Sequence, residues 1–248
     1  MPTGRFSRIA AFVALAALVP VPAANAASRH SDDPREPRVR VTARDVNESN
    51  KKVAMAYSAL VQMWTREFEQ IGERFARPRV VRYEDGAYTA CGPIGSGNAI
   101  YCPRDNSVYY DQVFVAAMQK IAGRSVGTDG DMAAIGIIAH EIGHAVAMQL
   151  GYRSRNSYAN ESTADCLAGA FANQSRRDGS LEAGDVEEAV FGMSMAGDPT
   201  PESTGNVRLD AIIESRLERN RHGTKEQRME NFRAGLDHGP AACLAEFR

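Results

Sequence analysis

His140-Glu141-Ile142-Gly143-His144 sets two imidazoles four residues apart inside an apolar run, 132–150. On a helix, residues at that spacing stand one above the other, so both rings reach a common point. Two neutral imidazole nitrogens about 2.0–2.1 Å from one ion make half of a tetrahedral zinc site. Glu141, between them, is placed to take a proton from a zinc-held water without being a ligand itself. The chemistry expected of the pattern is zinc-assisted hydrolysis, most naturally of a peptide bond. Two histidines buried only for packing would cost desolvation with no return.

Such a site needs a third protein ligand and a position left for water. Patterns that use three histidines place the third shortly after a glycine, but the next histidine here is His222. Glu161 is the acidic candidate. Asp165 lies four residues on, on the same helical face. Glu161 can then bind the ion while Asp165 accepts the ring N–H of a zinc-binding histidine and fixes its tautomer. A helix start enriched in acids for dipole reasons accounts for acids in general, not for this pair.

The elements that must hold these residues can be read from periodicity. Residue 131 reads as the N-cap of the HExxH helix, and Gly151 as its stop. So apolar a helix belongs at the buried floor of a cleft. Glu161 and Asp165 fall in a second helix, 159–173, and further helices are predicted at 182–195, 207–219 and 225–236. Upstream, Val53, Ala56, Tyr57, Leu60, Val61, Trp64, Phe68 and Ile71 form one apolar face of a helix over 46–75, ended by Pro78. Short β-branched and aromatic runs at 80–83, 99–101 and 107–110, punctuated by Gly, Pro and Asn, predict a small antiparallel sheet of three or four strands. A helix at 111–121 follows. The expected fold class is α+β: a small antiparallel sheet over the active-site helix, with a mostly helical C-terminal half.

Composition narrows the setting. The 248 residues carry 29 basic and 31 acidic side chains, with no dense basic patch, so no nucleic-acid partner is expected. Arg5 and Arg8, an apolar stretch at 9–19 and the small-residue site Ala24-Asn25-Ala26 read as an export signal over 1–26. The stretch is short for a membrane span, so no stable span is expected after cleavage, although an uncleaved signal would anchor the chain. A polar linker at 27–45, containing His30, precedes one domain at 46–248. The expected location is secreted or periplasmic. In that oxidising setting the four cysteines should form disulfides. Three pairings are possible. Cys91 and Cys102 flank a Gly-rich turn and could staple a hairpin, leaving Cys166 for Cys243. A cysteine zinc site would need C-x-x-C spacing, which is absent from the chain.

HEIGH followed by Asn160-Glu161-Ser162-Thr163-Ala164-Asp165 resembles the gluzincin signature of thermolysin-type peptidases. It is similar, more closely, to the bacterial putative neutral zinc metallopeptidase family. The likeness takes in Thr89-Ala90-Cys91-Gly92, Tyr101-Cys102-Pro103, Val108-Tyr109-Tyr110-Asp111 and the stretch 161–169. It continues at Gly184-Asp185-Val186-Glu187-Glu188-Ala189, at His222-Gly223-Thr224-Lys225-Glu226-Gln227-Arg228 and at Ala242-Cys243, covering 46–248. Departures are Ala145, where a further histidine is usual, and Gly197-Asp198-Pro199 in place of Gly-Asp-Asp. The resemblance implies a zincin-like fold and peptidase activity on peptide or protein substrates.

The ligand set is then His140, His144 and Glu161 around one zinc ion, with Glu141 as general base and Asp165 behind a ligand. His222 is the first choice for an oxyanion donor, because its block is polar without other reason. Tyr110, Tyr158 and Arg228 are alternatives. The strand 98–102 is the candidate edge for pairing with substrate backbone. Hydrolysis of a non-peptide amide, or a binding protein with structural zinc, are the rival functions. The last would need a fourth protein ligand.

Overall fold

A computed structural model describes residues 39–198, 203–217 and 221–244. The signal at 1–26, and residues 27–38 of the linker, lie outside the described residues. The fold is α+β, with a small sheet region followed by an almost wholly helical C-terminal half.

The first helix starts earlier than the apolar periodicity suggests. Helix α1 spans Ala43–Gln70, its start defined by a capping box between Thr42 and Asp45. Residues 43–45, placed in the linker by the sequence reading, lie in this helix. Its apolar face is buried from Val53 to Phe68, including Trp64. Ile71 lies beyond the helix and is exposed, so the helix stops before Pro78 instead of at it.

Five short strands follow: β1 (Arg79–Tyr83), β2 (Gly86–Thr89), β3 (Gly92–Gly95), β4 (Ala99–Cys102) and β5 (Ser107–Asp111). They form two sheets. The first has the order β1-β5-β4, and the second is the β2-β3 hairpin. β4 and β5 are antiparallel, but β1 and β5 run parallel, which corrects the all-antiparallel expectation. The parallel pair is possible because the β2–β3 and β4 segments carry the chain back across before β5 enters the middle. β5 is buried at every residue, whereas β4 is an edge strand.

The Cys91–Cys102 disulfide forms across this region. Cys91 sits in the turn of the β2–β3 hairpin and Cys102 at the end of β4. The bond therefore ties the hairpin tip to the neighbouring sheet and does not staple one hairpin. The Cys166–Cys243 disulfide also forms.

Helices α2 (Gln112–Val126), α3 (Asp131–Gln149), α4 (Ser157–Arg177), α5 (Asp185–Met195), α6 (Val207–Leu217), α7 (Lys225–His238) and α8 (Pro240–Cys243) complete the described elements. Asp111 is the N-cap of α2, accepting from the backbone N–H of Val113 and Phe114. α3 lies at the centre, packed by α1, α2, α4 and α5. Its sequence is apolar all round because it is covered nearly all round.

Candidate metal centre

α3 brings His140, Glu141 and His144 to one face, at the floor of a cleft of about 590 Å³. Residue 131 is not the N-cap: Gly130 is, in the left-handed conformation and with no side-chain cap of its own. The cap comes from another helix. Glu188 of α5, completely buried, accepts from the backbone N–H of Gly130 (3.0 Å) and of Met132 (2.8 Å). These are donors that the first turn of a helix cannot satisfy internally. Asp131 instead pairs with Lys52 of α1 at 2.6 Å.

α4 crosses α3 at Gly143. A Cβ there would lie 2.9 Å from the carbonyl oxygen of Ala164, so the variable residue before His144 is glycine for close approach. That approach delivers Glu161 and Asp165 to the two histidines. Glu161 Oε2 is 3.2 Å from His140 Nε2, and Oε1 is 3.4 Å from His144 Nε2. The His140 and His144 rings meet edge to face, with centroids 4.7 Å apart. The ligand atoms of His140, His144 and Glu161 all lie within 4.8 Å of one another. Ligands about 2.0–2.1 Å from a tetrahedral zinc are separated from each other by about 3.3 Å. Each Glu161 oxygen lies at about that distance from one of the imidazole nitrogens, and the nitrogen, nitrogen, oxygen set is one zinc accepts. The residues present fit the ion.

Behind the histidines, Asp165 Oδ1 is 2.8 Å from His140 Nδ1. With Nδ1–H donating to this carboxylate, Nε2 keeps its lone pair turned to the ligand side. Asp165 is fully buried, and a second buried group balances its charge: Arg228 of α7. Its Nη2 donates to Oδ1 at 2.6 Å, its Nε to Oδ2 at 3.1 Å, and its Nη1 to the Ala196 carbonyl at 3.0 Å. α7 reaches this position because α4 and α7 cross at Gly169 and Gly235, where a Cβ would overlap Phe232 and Cys166 backbone.

The charges reinforce one another. Burial works against a charged His140, but the Asp165 bond and charge, then Glu161, outweigh it and push the ring up to about 10, so a metal taken up at Nε2 displaces a proton from it. Burial likewise works against a charged Glu161, yet the two histidines hold its carboxyl well below the usual carboxylate range. Burial opposes the Arg228 guanidinium too, and Asp165 more than compensates, raising it.

The remaining sequence candidates separate cleanly. His222 lies on the same cleft. Asp198 grips it: Oδ2 accepts from the His222 backbone N–H at 2.6 Å, and Oδ1 sits 3.3 Å from Nδ1. Tyr110 is in the core, donating to Asn50 Oδ1 at 2.8 Å, and is no part of the cleft. Tyr158 packs beside Gly223. Arg228 lines the cleft, but its guanidinium is occupied by Asp165 and Ala196. Residues 97–101, around β4, form one wall. Asp111 holds that wall in place, its Oδ2 accepting from Gly97 N–H at 2.8 Å while its backbone N–H donates to Asn98.

Sequence reasoning missed the Arg228–Asp165 pair and the Glu188 cap. A signal existed for the first. Arg228, Phe232 and Leu236 share one buried face of α7, which is no place for an unpaired guanidinium. For Glu188 no sequence signal distinguishes it from its neighbour Glu187.

The model of the family described as "Putative neutral zinc metallopeptidase" matches residues 9–247. Among curated proteins, the chain is 32% identical over 219 residues to "Uncharacterized protein YpfJ" of Escherichia coli K12, covering 79% of this chain and 71% of that one. It is 26% identical over 193 residues to "Uncharacterized protein Rv2575" of Mycobacterium tuberculosis H37Rv, covering 68% of this chain and 62% of that protein. No solved structure matches.

Proposed function

The chain belongs to the putative neutral zinc metallopeptidase family, and from that premise we propose that it is an exported zinc peptidase of the gluzincin type. One observation carries the reading: the ligand atoms of His140, His144 and Glu161 lie within 4.8 Å of one another beside Glu141, on the floor of a cleft. His140 and His144 would hold the ion through Nε2, and Glu161 through its carboxylate. When bound there, zinc supplies a Lewis acid that acidifies water and polarises a carbonyl.

The protein's own groups do the rest. Glu141, nearly buried next to the ligands, takes a proton from the attacking water and later passes it to the leaving amine. Asp165 keeps His140 in the tautomer that presents Nε2, and Arg228 orients Asp165 through its two bonds to that carboxylate. His222, with Nδ1 3.3 Å from Asp198 Oδ1, is the oxyanion donor in its imidazolium form, the form in which both ring nitrogens donate. β4 pairs with β5 along one edge only, so its other edge can pair with an extended substrate.

A structural zinc in a non-catalytic binder would be closed by a fourth protein ligand. Among the described residues the group that converges on this point has three members. The disulfides Cys91–Cys102 and Cys166–Cys243 suit an oxidising compartment. Among the described residues no helix is long and apolar enough to cross a membrane. The catalytic domain at 46–248, extended back to the start of α1 at Ala43, follows a signal at 1–26 and a linker.

The test is zinc content and peptide hydrolysis of the native protein, Glu141→Gln and Glu161→Ala. Glu141→Gln is expected to retain zinc and lose turnover, and Glu161→Ala to lose zinc. Undiminished hydrolysis by Glu141→Gln would sink the mechanism, and full zinc affinity in Glu161→Ala the ligand assignment.

A further inference from the structure

We propose that Tyr83 is a positioning residue of the cleft: from behind the wall, its hydroxyl clamps the bend at 95–98 and so holds the open edge of β4 in place for an extended substrate. This rests on the zinc-peptidase reading above and adds a residue to it. Tyr83 is not among the residues that line the cleft. It ends β1 and is buried in a small apolar cluster with Cys102 and Tyr109, separate from the main core. Its hydroxyl lies 2.8 Å from the Asn98 carbonyl oxygen and 3.0 Å from that of Gly95. Gly95 is the last residue of β3 and Asn98 directly precedes β4. One phenol therefore holds both ends of the bend through which the hairpin passes into the edge strand, its single hydrogen shared between two acceptors.

The bend depends on such outside holds. Among the described residues no backbone hydrogen bond closes it on itself. Its other hold is Asp111, which accepts from Gly97 N–H at 2.8 Å and donates its backbone N–H to the Asn98 carbonyl at 2.9 Å. That last bond also fixes which way β4 faces. Asn98, Ile100 and Cys102 turn their backbone groups to β5, and Ala99 and Tyr101 turn theirs to the open edge. The Ala99 N–H is met by the Asn98 side-chain oxygen at 2.8 Å. The Ala99 carbonyl and both backbone groups of Tyr101 remain for a substrate strand, and both residues line the cleft. Letting go of Asn98 releases the residue from which this edge starts.

Tyr83 suits the task because it stays a donor. Burial, then the negative charges of Asp111 and Glu141, push its hydroxyl up to about 12, so it keeps its hydrogen wherever a carboxylate base works. The influence of Glu141 also places the clamp within electrostatic reach of the reacting centre. Tyr109 supplies a contrast from the same cluster. It is buried as Tyr83 is, but its hydroxyl donates to Asp105 Oδ2 at 2.6 Å and takes no part in the bend.

The test compares Tyr83→Phe with Tyr109→Phe, each losing one hydroxyl from this cluster and keeping its ring. Zinc content and unfolding midpoints establish that both variants are folded and loaded. Hydrogen exchange of the 95–101 amides is followed in the metal-free proteins, and KM and kcat are measured on end-blocked dipeptides and hexapeptides. Tyr83→Phe is expected to speed exchange at 95–101 and to raise KM for hexapeptides by about three- to tenfold, the worth of one hydrogen bond. Because pairing along β4 is uniform binding, kcat should stay nearly the same. Dipeptides, too short to run along β4, should show no change, and Tyr109→Phe should show neither effect. Unchanged exchange in Tyr83→Phe, or a KM rise shared by dipeptides or by Tyr109→Phe, overturns the positioning role and leaves the peptidase reading standing. A native protein that cuts no peptide overturns the peptidase reading and, with it, the part of the clamp in substrate binding.

Discussion

Asp165 is the most constrained carboxylate of the molecule's centre, fully buried between His140 on one side and Arg228 on the other. Such a pair is weak as a source of stability but costly to break, because the survivor is left charged and dry. Arg228→Met is therefore expected to destabilise the fold by about 3–5 kcal/mol, read from denaturant unfolding. Asp165→Asn can still accept one bond but not orient the imidazole as a carboxylate does. It should weaken zinc binding by about 10–100-fold, measurable by competition with a chelator. Asp185 carries a different consequence. Burial raises its carboxyl, and Asp131, Glu188 and Glu182 add to the effect, giving about 6. Between about 4 and 6 the folded protein thus keeps a proton that the unfolded chain has released. This contribution to stability is present at low pH, falls as pH rises through that window, and is level above it. Asp185→Asn should flatten that slope in unfolding midpoints measured from pH 4 to 7.

At the scale of elements, α3 cannot cap itself. Its N-cap is a glycine, and its first amides point at Glu188 on α5. The block Gly184-Asp185-Val186-Glu187-Glu188-Ala189 is thereby accounted for as the brace of the metal-site helix, not as part of the site. Glu188→Ala leaves two buried amides without partners and should cost about 1–3 kcal/mol for each. Glu188→Gln, which keeps one acceptor oxygen, should cost less. Thermal unfolding of the two variants beside the native protein checks the order. Helix boundaries within one or two turns, and the identity of the site-bearing helices, were legible from periodicity. The parallel pairing of β1 with β5 was not, because alternation within a strand says which face is buried but nothing about the direction of its neighbour.

At the scale of the whole molecule, the Cys166–Cys243 bond spans 77 residues of chain and joins α4, next to Asp165, to α8 behind Arg228's helix. Closing so long a loop restricts the unfolded chain, a stabilisation of about 2–4 kcal/mol. Cys166→Ala with Cys243→Ala should lower the unfolding free energy by that amount, with zinc binding at 25 °C preserved. The α4–α7 crossing at Gly169 and Gly235 then still holds Arg228 in place. Loss of zinc binding in a variant that remains folded would show instead that the disulfide positions the site.

Residue type and spacing alone singled out the two histidines, the glutamate beside them and the Glu161–Asp165 pair that the fold brings together. All of these lie within one helix or one short segment, and helical geometry is local. The cysteine pairing was also within reach, since four cysteines leave few choices. Only the tertiary structure decided that Arg228 pairs with Asp165, that Glu188 caps α3 and that Tyr110 belongs to the core. Each of these depends on which distant surfaces meet. Those meetings are controlled by close approaches at Gly143, Gly169 and Gly235, whose partners are named by packing and not by the residues next to them in the chain.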